Sequence, residues 1–224
     1  MKLKTKYYNK DILIVGFGKT GKSILKFFKN QKVNIFLYDD NVDVIKNKIQ
    51  SKHFFNEKEK DISDFSTIFV SPGISKNHKL IKKAVNKKIP ISSDLELFWE
   101  DRLISNANQS ILGITGTNGK STIALMISSV FQTQPLGNFG NTILDNLDKK
   151  TKCLVIELSS FQLDYIENFK PNISIISNIK HDHLNYHKTF DNYLKAKINI
   201  TKNQDKEDFL ILNYDDENIK NYFK

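Results

Sequence analysis

Residues 110–122 read Ser-Ile-Leu-Gly-Ile-Thr-Gly-Thr-Asn-Gly-Lys-Ser-Thr. The apolar run Ser110 to Thr115 has the length of a strand, and Ile123 to Phe131 beyond the glycines has the length of a helix. Between them lies Gly116-Thr117-Asn118-Gly119-Lys120-Ser121. In a strand–loop–helix unit of this kind the backbone N–H groups of the loop cradle phosphates. The lysine reaches the β- and γ-phosphates, and the serine hydroxyl binds Mg²⁺. The usual spacing G-x-x-x-x-G-K-[ST] asks for glycine at position 114, where Ile114 stands. The loop is therefore a variant, with its extra glycine at Gly116.

The same grammar recurs upstream. Asp11 to Val15 is a short apolar run ending at Gly16-Phe17-Gly18-Lys19-Thr20-Gly21. Helical spacing continues over Ser23 to Phe28, and a second strand, Val33 to Tyr38, ends at Asp39. A G-x-G-x-x-G turn between strand and helix, with an acid closing the next strand, is the Rossmann fingerprint in its proper context. Further strands are expected at Thr67 to Val70, running into Ser71-Pro72-Gly73-Ile74, and at Ile89 to Ile91, with a helix over Lys79 to Val85. Ser93-Asp94 caps a helix reaching about Leu103. Downstream, strands are expected at Lys152 to Leu158, Ile173 to Ser177 and Phe209 to Leu212, and a helix over Asn192 to Ile200. Alternating strands and helices predict the fold class: α/β, a Rossmann-like N-terminal domain (1–92) followed by a P-loop-type parallel-sheet central domain (93–224) that is incomplete.

Two phosphate loops in one chain weigh against a nicotinamide dehydrogenase, which the first loop alone suggests. Glu157 follows a strand where a phosphate-loop enzyme keeps its Mg²⁺-binding carboxylate. The stretch Asn178-Ile179-Lys180-His181-Asp182-His183-Leu184-Asn185-Tyr186-His187 packs three histidines beside an aspartate. It lacks a zinc spacing, and a hard-cation or phosphate role fits better beside a phosphate loop.

The composition excludes several classes. The chain has 224 residues, 39% of them hydrophobic, and four prolines. No run of eighteen apolar residues suggests a membrane helix. The single cysteine, Cys153, cannot pair within the chain, which fits a reducing cytoplasm. The net charge is +9, but the lysines are dispersed, without the compact aromatic-interleaved block of a nucleic-acid groove.

Taken together these strings resemble the Mur ligase family. The stretch Gly113 to Thr122, Gly-Ile-Thr-Gly-Thr-Asn-Gly-Lys-Ser-Thr, is similar to that family's phosphate loop. The first-domain loop Gly16 to Gly21, Ser71 to Ile74, Gly137-Asn138-Phe139-Gly140-Asn141 and above all Glu157-Leu158-Ser159-Ser160-Phe161-Gln162-Leu163 look like its D-glutamate-adding branch. The resemblance implies ATP-dependent ligation of D-glutamate to UDP-N-acetylmuramoyl-L-alanine through an acyl phosphate, by a cytoplasmic, monomeric enzyme of peptidoglycan synthesis. It implies that Thr115, Gly116, Thr117, Asn118, Gly119, Lys120 and Ser121 hold the ATP phosphates. Lys120, Glu157, His183 and Lys197 carry catalysis, and two Mg²⁺ ions sit on Ser121, Glu157, His183 and a carbamylated Lys197. Lys19, Thr20, Asp39, Ser71 and Gly73 line the uridine diphosphate site, and Asn138, Ser159, Gln162 and His183 face the muramoyl-alanine end. Asn185 and Tyr186 stand where the family usually has Asp and Arg, and Phe139 where it has Ile. Family members are about twice as long, with a third, C-terminal ligase domain that is absent from these residues. Another Mur ligase, a folylpolyglutamate-type ligase, or a nucleotide-binding fragment without turnover are the alternative expectations.

Overall fold

The computed structural model describes residues 6–43, 53–105, 108–138, 141–146 and 151–224. Its contacts divide the chain into two compact units, residues 1–106 and 107–224.

The first unit runs β1 (Asp11–Val15), α1 (Lys19–Phe28), β2 (Asn34–Tyr38), β3 (Thr67–Val70), α2 (Lys79–Asn86), β4 (Ile91–Ser92) and α3 (Asp94–Ser105). All pairings are parallel, in the order β2-β1-β3-β4. In β1, Ile12, Leu13, Ile14 and Val15 are fully buried, each contributing about 1.5–3 kcal/mol. An unbroken apolar run is what a strand covered on both faces requires. Tyr7, Phe28 and Phe69 close the core below α1, with ring centroids 5.3–5.6 Å apart. The sequence sets β4 at 89–91; it forms at Ile91–Ser92. Ile89 still donates to Ala84 O as part of the exit from α2, and Pro90 offers only its carbonyl, to Ile68 N at 2.8 Å. Helix α3 makes its contacts here: Glu100 accepts from Lys6 Nζ at 2.6 Å and from the Tyr7 hydroxyl at 3.1 Å. The sequence-based boundary between 92 and 93 and the contact boundary between 106 and 107 thus differ by this helix.

The second unit runs β5 (Ser110–Thr115), α4 (Lys120–Val130), β6 (Leu136–Gly137), β7 (Cys153–Glu157), α5 (Ser160–Leu163), β8 (Ile173–Ile176), α6 (Leu184–His187), α7 (Phe190–Ile198), β9 (Phe209–Leu212) and α8 (Glu217–Tyr222). The sheet is again parallel, ordered β6-β7-β5-β8-β9. Leu112, Ile114, Ala124, Cys153 and Val155 form a buried cluster under α4. Two apolar surfaces lie open. On α4, Met126 and Val130 are 65% and 78% exposed, and on the edge strand β9, Phe209 and Ile211 are 67% and 52% exposed.

In both units the chain leaves a central strand, β1 or β5, whose two neighbours continue the sheet in opposite directions. A crevice forms beyond the carboxyl ends of the strands at such a switch point. Both glycine turns lie there. Among the described residues no helix is long and apolar enough to cross a membrane.

Candidate functional site

At the first switch point Gly16 has φ +89°, and a Cβ on Gly21 would lie 2.1 Å from Gly16 O, so the turn closes tightly only on glycine. Ser71 Oγ donates to Gly16 O at 2.7 Å. Asp39, directly after β2, accepts from Phe17 N at 2.7 Å and from Asn41 N at 2.9 Å. Asp39 therefore anchors the glycine turn, and its carboxylate keeps further lone pairs for a ligand hydroxyl. Helix α1 begins without a side-chain cap and without an acid in its first turn. Its open N–H groups and Lys19 favour an anion. Lys19, Thr20, Asp39, Ser71 and Gly73 thus gather at the carboxyl ends of β1, β2 and β3.

In the second unit β5 ends in the buried Thr115, whose hydroxyl donates to Leu158 O at 2.9 Å. Gly116 has φ +156°, and a Cβ there would meet Ser177 Oγ at 2.0 Å. Asn178 holds the loop by its whole polar outline. Its carbonyl accepts from Thr117 N at 2.8 Å, and its side chain accepts from Asn118 N and donates to Asn118 O, each at 2.9 Å. Gly119 (φ +79°) then starts α4 with no side-chain cap. Lys120 Nζ folds back onto Thr117 O at 3.0 Å.

Glu157 ends β7 beside Ile114 and is 1% exposed. Ser121 Oγ donates to its Oε2 at 2.7 Å and Asn138 Nδ2 to its Oε1 at 2.9 Å. Both donors are neutral groups that satisfy the buried carboxylate oxygens by hydrogen bonding. A carboxylate and a hydroxyl at the foot of a phosphate loop are the oxygen donors Mg²⁺ takes together with phosphates and water. The residues present fit that ion. Asn138 reaches Glu157 because Gly137 (φ +97°) turns the chain where a Cβ would lie 2.3 Å from Glu157 O. Phe139 and Gly140 of that loop lie outside the described residues.

Lys197 is 2% exposed on α7 and donates to Gly116 O at 2.6 Å. Burial, and secondarily the positive charge of Lys120, push its pKa from 10.5 down to about 7, against the pull of Asp182 and Glu157. A lysine so placed is available as a neutral amine near physiological pH. Its Nζ lies 4.7 Å from the ring centroid of Tyr193. The Tyr193 hydroxyl meets Thr117 Oγ1 at 3.0 Å. Tyr193 and Asn178 are site residues that the sequence pattern alone does not single out. Tyr193 carried a signal, since it precedes Lys197 by one helical turn on the same face. Asn178 had none beyond its place at the end of β8.

Ser159 and Gln162 form a reciprocal capping box that starts α5. His183 takes a left-handed conformation, φ +50°, before α6. Its ring lies 4.8 Å from Phe161 and 6.2 Å from Tyr193, so it joins the site through aromatic neighbours rather than through Glu157. Of the neighbouring histidines, His181 stacks on Phe190, whereas His187 packs on the same Phe161 and Tyr193 as His183, with its Nε2 3.0 Å from Ser160 Oγ. Among the described residues no three His, Cys, Asp or Glu side chains converge as a metal cluster.

Fold and site define a class: an α/β protein of two parallel-sheet units, each with a glycine turn at its switch point, the second turn a Gly-Lys-Ser loop backed by a buried carboxylate. Within that class, residues 10–93 match the Mur ligase MurD-like N-terminal domain and residues 114–224 the Mur ligase middle domain, and the chain belongs to the Mur ligase family. It is 38% identical over 226 residues to the UDP-N-acetylmuramoylalanine–D-glutamate ligase of Clostridioides difficile, covering 94% of this chain and 49% of that protein. A protein of the same description from Rickettsia bellii is 37% identical, covering 95% of this chain and 48% of its own length. The chain spans about half the length of the curated relatives it matches. Among solved structures, UDP-N-acetylmuramate:L-alanyl-gamma-D-glutamyl-meso-diaminopimelate ligase from Neisseria meningitides superposes with a TM-score of 0.56 at 15% identity, covering 95% of this chain and 74% of that one. That likeness concerns the fold alone.

Proposed function

We propose that these residues are the nucleotide-binding part of an ATP-dependent ligase that joins D-glutamate to UDP-N-acetylmuramoyl-L-alanine. The observation that carries the reading is the buried Glu157 bridged by Ser121 and Asn138 beneath the glycine loop. The identity to D-glutamate ligases over nearly the whole chain supports the choice of substrate class. The N-terminal unit binds the uridine diphosphate through Lys19, Thr20, Asp39, Ser71 and Gly73. The central unit binds ATP through Thr115 to Ser121, and Asn138, Ser159, Gln162 and His183 face the muramoyl-alanine.

In this reading the substrate carboxylate takes the γ-phosphoryl group of ATP, releasing ADP. The amine of D-glutamate then attacks the acyl phosphate carbon, and phosphate leaves as the amide forms. Magnesium, when bound, neutralises charge on the transferring phosphoryl group. Lys120 gives up its contact with Thr117 O for the phosphates, adding a positive charge that the transition state needs more than the ground state. Ser121 and Glu157 would hold one such ion. Lys197, whose lowered pKa makes the neutral amine accessible, would add CO₂ at nitrogen with loss of a proton, and the resulting carbamate together with His183 would hold a second ion. The enzyme acts in the cytoplasm as a monomer.

Calorimetry on the chain with Mg²⁺-ATP, UDP and NADH tests the binding roles; the expected result is binding of ATP and UDP. Transfer of labelled D-glutamate to UDP-muramoyl-alanine, by protein containing these residues, tests the reaction. No ATP binding by the folded chain, or a preference for NADH over UDP, would overturn the reading.

A further inference from the structure

The segment 177–180 carries β8 into the histidine turn, and its polar atoms are taken up from two sides. One side is the phosphate loop, through the Asn178 bonds above and through Lys180 N donating to Thr117 Oγ1 at 2.9 Å. The other is the turn between β9 and α8. There Asn213 Nδ2 donates to Ser177 O at 3.0 Å and Asn218 Nδ2 to Ile179 O at 2.7 Å. Asp216, 2% exposed, accepts from Ile179 N at 3.1 Å on Oδ2. Its Oδ1 accepts from Asn218 N at 3.0 Å and Ile219 N at 3.1 Å, capping α8. Lys180 Nζ lies 3.4 Å from Oδ2.

A buried carboxylate engaged by three backbone N–H groups has little freedom to move, because each bond is charge-assisted. The segment it holds has correspondingly little freedom. We propose that Asp216, with Asn213 and Asn218, is a positioning element for the phosphate loop, fixing 177–180, which in turn fixes residues 116–118. The loop binds by pointing several N–H groups at one anion, so its affinity depends on their being held in place before the ligand arrives. This role rests on the reading that the loop binds ATP.

The test is calorimetric titration of the 224-residue chain with Mg²⁺-ATP, at a temperature where circular dichroism shows every variant folded. Asp216→Ala is expected to weaken binding roughly tenfold, the equivalent of one charge-assisted bond. Asn218→Ala, which removes only the hold on Ile179 O and suits a helix, is expected to weaken it severalfold. Asn172→Ala is the control for a general structural lesion. Asn172 Oδ1 accepts from Ile111 N at 2.9 Å at the opposite end of β8, and its loss should leave ATP affinity unchanged. Equal loss in Asn172→Ala and Asp216→Ala, or unchanged affinity in Asn218→Ala and Asp216→Ala, would overturn the role. Should Asp216→Ala not fold, Asn218→Ala decides alone. A wild-type chain that does not bind ATP, indistinguishable from Lys120→Ala, would instead remove the nucleotide reading itself.

Discussion

Replacing Lys197 with methionine should make the chain more stable at neutral pH, and the advantage should shrink as the pH rises. The drop in pKa from 10.5 to about 7 corresponds to roughly 5 kcal/mol at about 1.4 kcal/mol per pH unit. The sign follows from proton counting. Below pH 7 both folded and unfolded chains carry the ammonium, and the full cost of burying it is present. Between about 7 and 10.5 the unfolded chain still binds a proton that the folded chain has lost, so stability rises with pH. From pH 7 to pH 9 the wild type should gain roughly 2 kcal/mol relative to a methionine variant that has no proton to lose. Urea unfolding followed by far-ultraviolet dichroism measures this. The buffers should be free of CO₂ and Mg²⁺, so that the amine stays unmodified. Tryptophan fluorescence is the wrong probe, since Trp99 lies in the first unit. A stability difference that stays flat from pH 7 to pH 9 would show that Lys197 keeps its charge when buried, and the argument for its reactivity would fail.

Glu157→Gln keeps the size of the side chain but removes the charge; ATP affinity should lose its dependence on Mg²⁺ and fall more than tenfold at saturating Mg²⁺, read by calorimetry. Gly116→Ala should cost about 1–3 kcal/mol in unfolding experiments and abolish ATP binding, because its methyl group displaces Ser177 from the loop. Asp94 is fully buried, its Oδ1 has no hydrogen-bond partner among the described residues, and burial raises its pKa to about 6. Its ionisation destabilises the fold as pH rises from about 4 through 6, so Asp94→Asn should stabilise the chain at pH 7 by on the order of 1–3 kcal/mol and not at pH 4, measured by urea midpoint.

The strands were legible because parallel strands covered on both faces leave a contiguous apolar signature, as in Ile12 to Val15 or Leu154 to Ile156. Phe209 to Leu212 was equally legible although the strand lies at an edge, since the pattern records composition and not coverage. The glycine turns were legible because Gly16, Gly21 and Gly116 sit at dihedral angles or close approaches that exclude a Cβ. Helix starts were read late where a glycine loop runs straight into the first turn, α1 beginning at Lys19 and not Ser23 and α4 at Lys120 and not Ile123, whereas α2 and α3 begin at Lys79 and Asp94 as read. The short elements β6, α5, α6 and α8 left no periodic trace in two to six residues. Glu157 was found by its position after a strand, and Lys197 through the family resemblance. The ties that organise the site around them, Asn178 to the loop and Tyr193 to Thr117, join residues sixty or more positions apart and have no local pattern.

The open apolar rows of α4 and β9 give the chain an unusual response to its solvent. Phe209 and Ile211 are exposed on β9, which among the described residues has β8 as its one strand neighbour and so offers an edge to another strand. What keeps two such edges apart at low ionic strength is the +9 charge that every molecule carries. Added salt shortens the reach of that repulsion to about 10 Å at 0.1 M while leaving hydrophobic attraction intact. The chain should therefore be most soluble in dilute buffer and cluster as salt is raised, the reverse of ordinary salting-in.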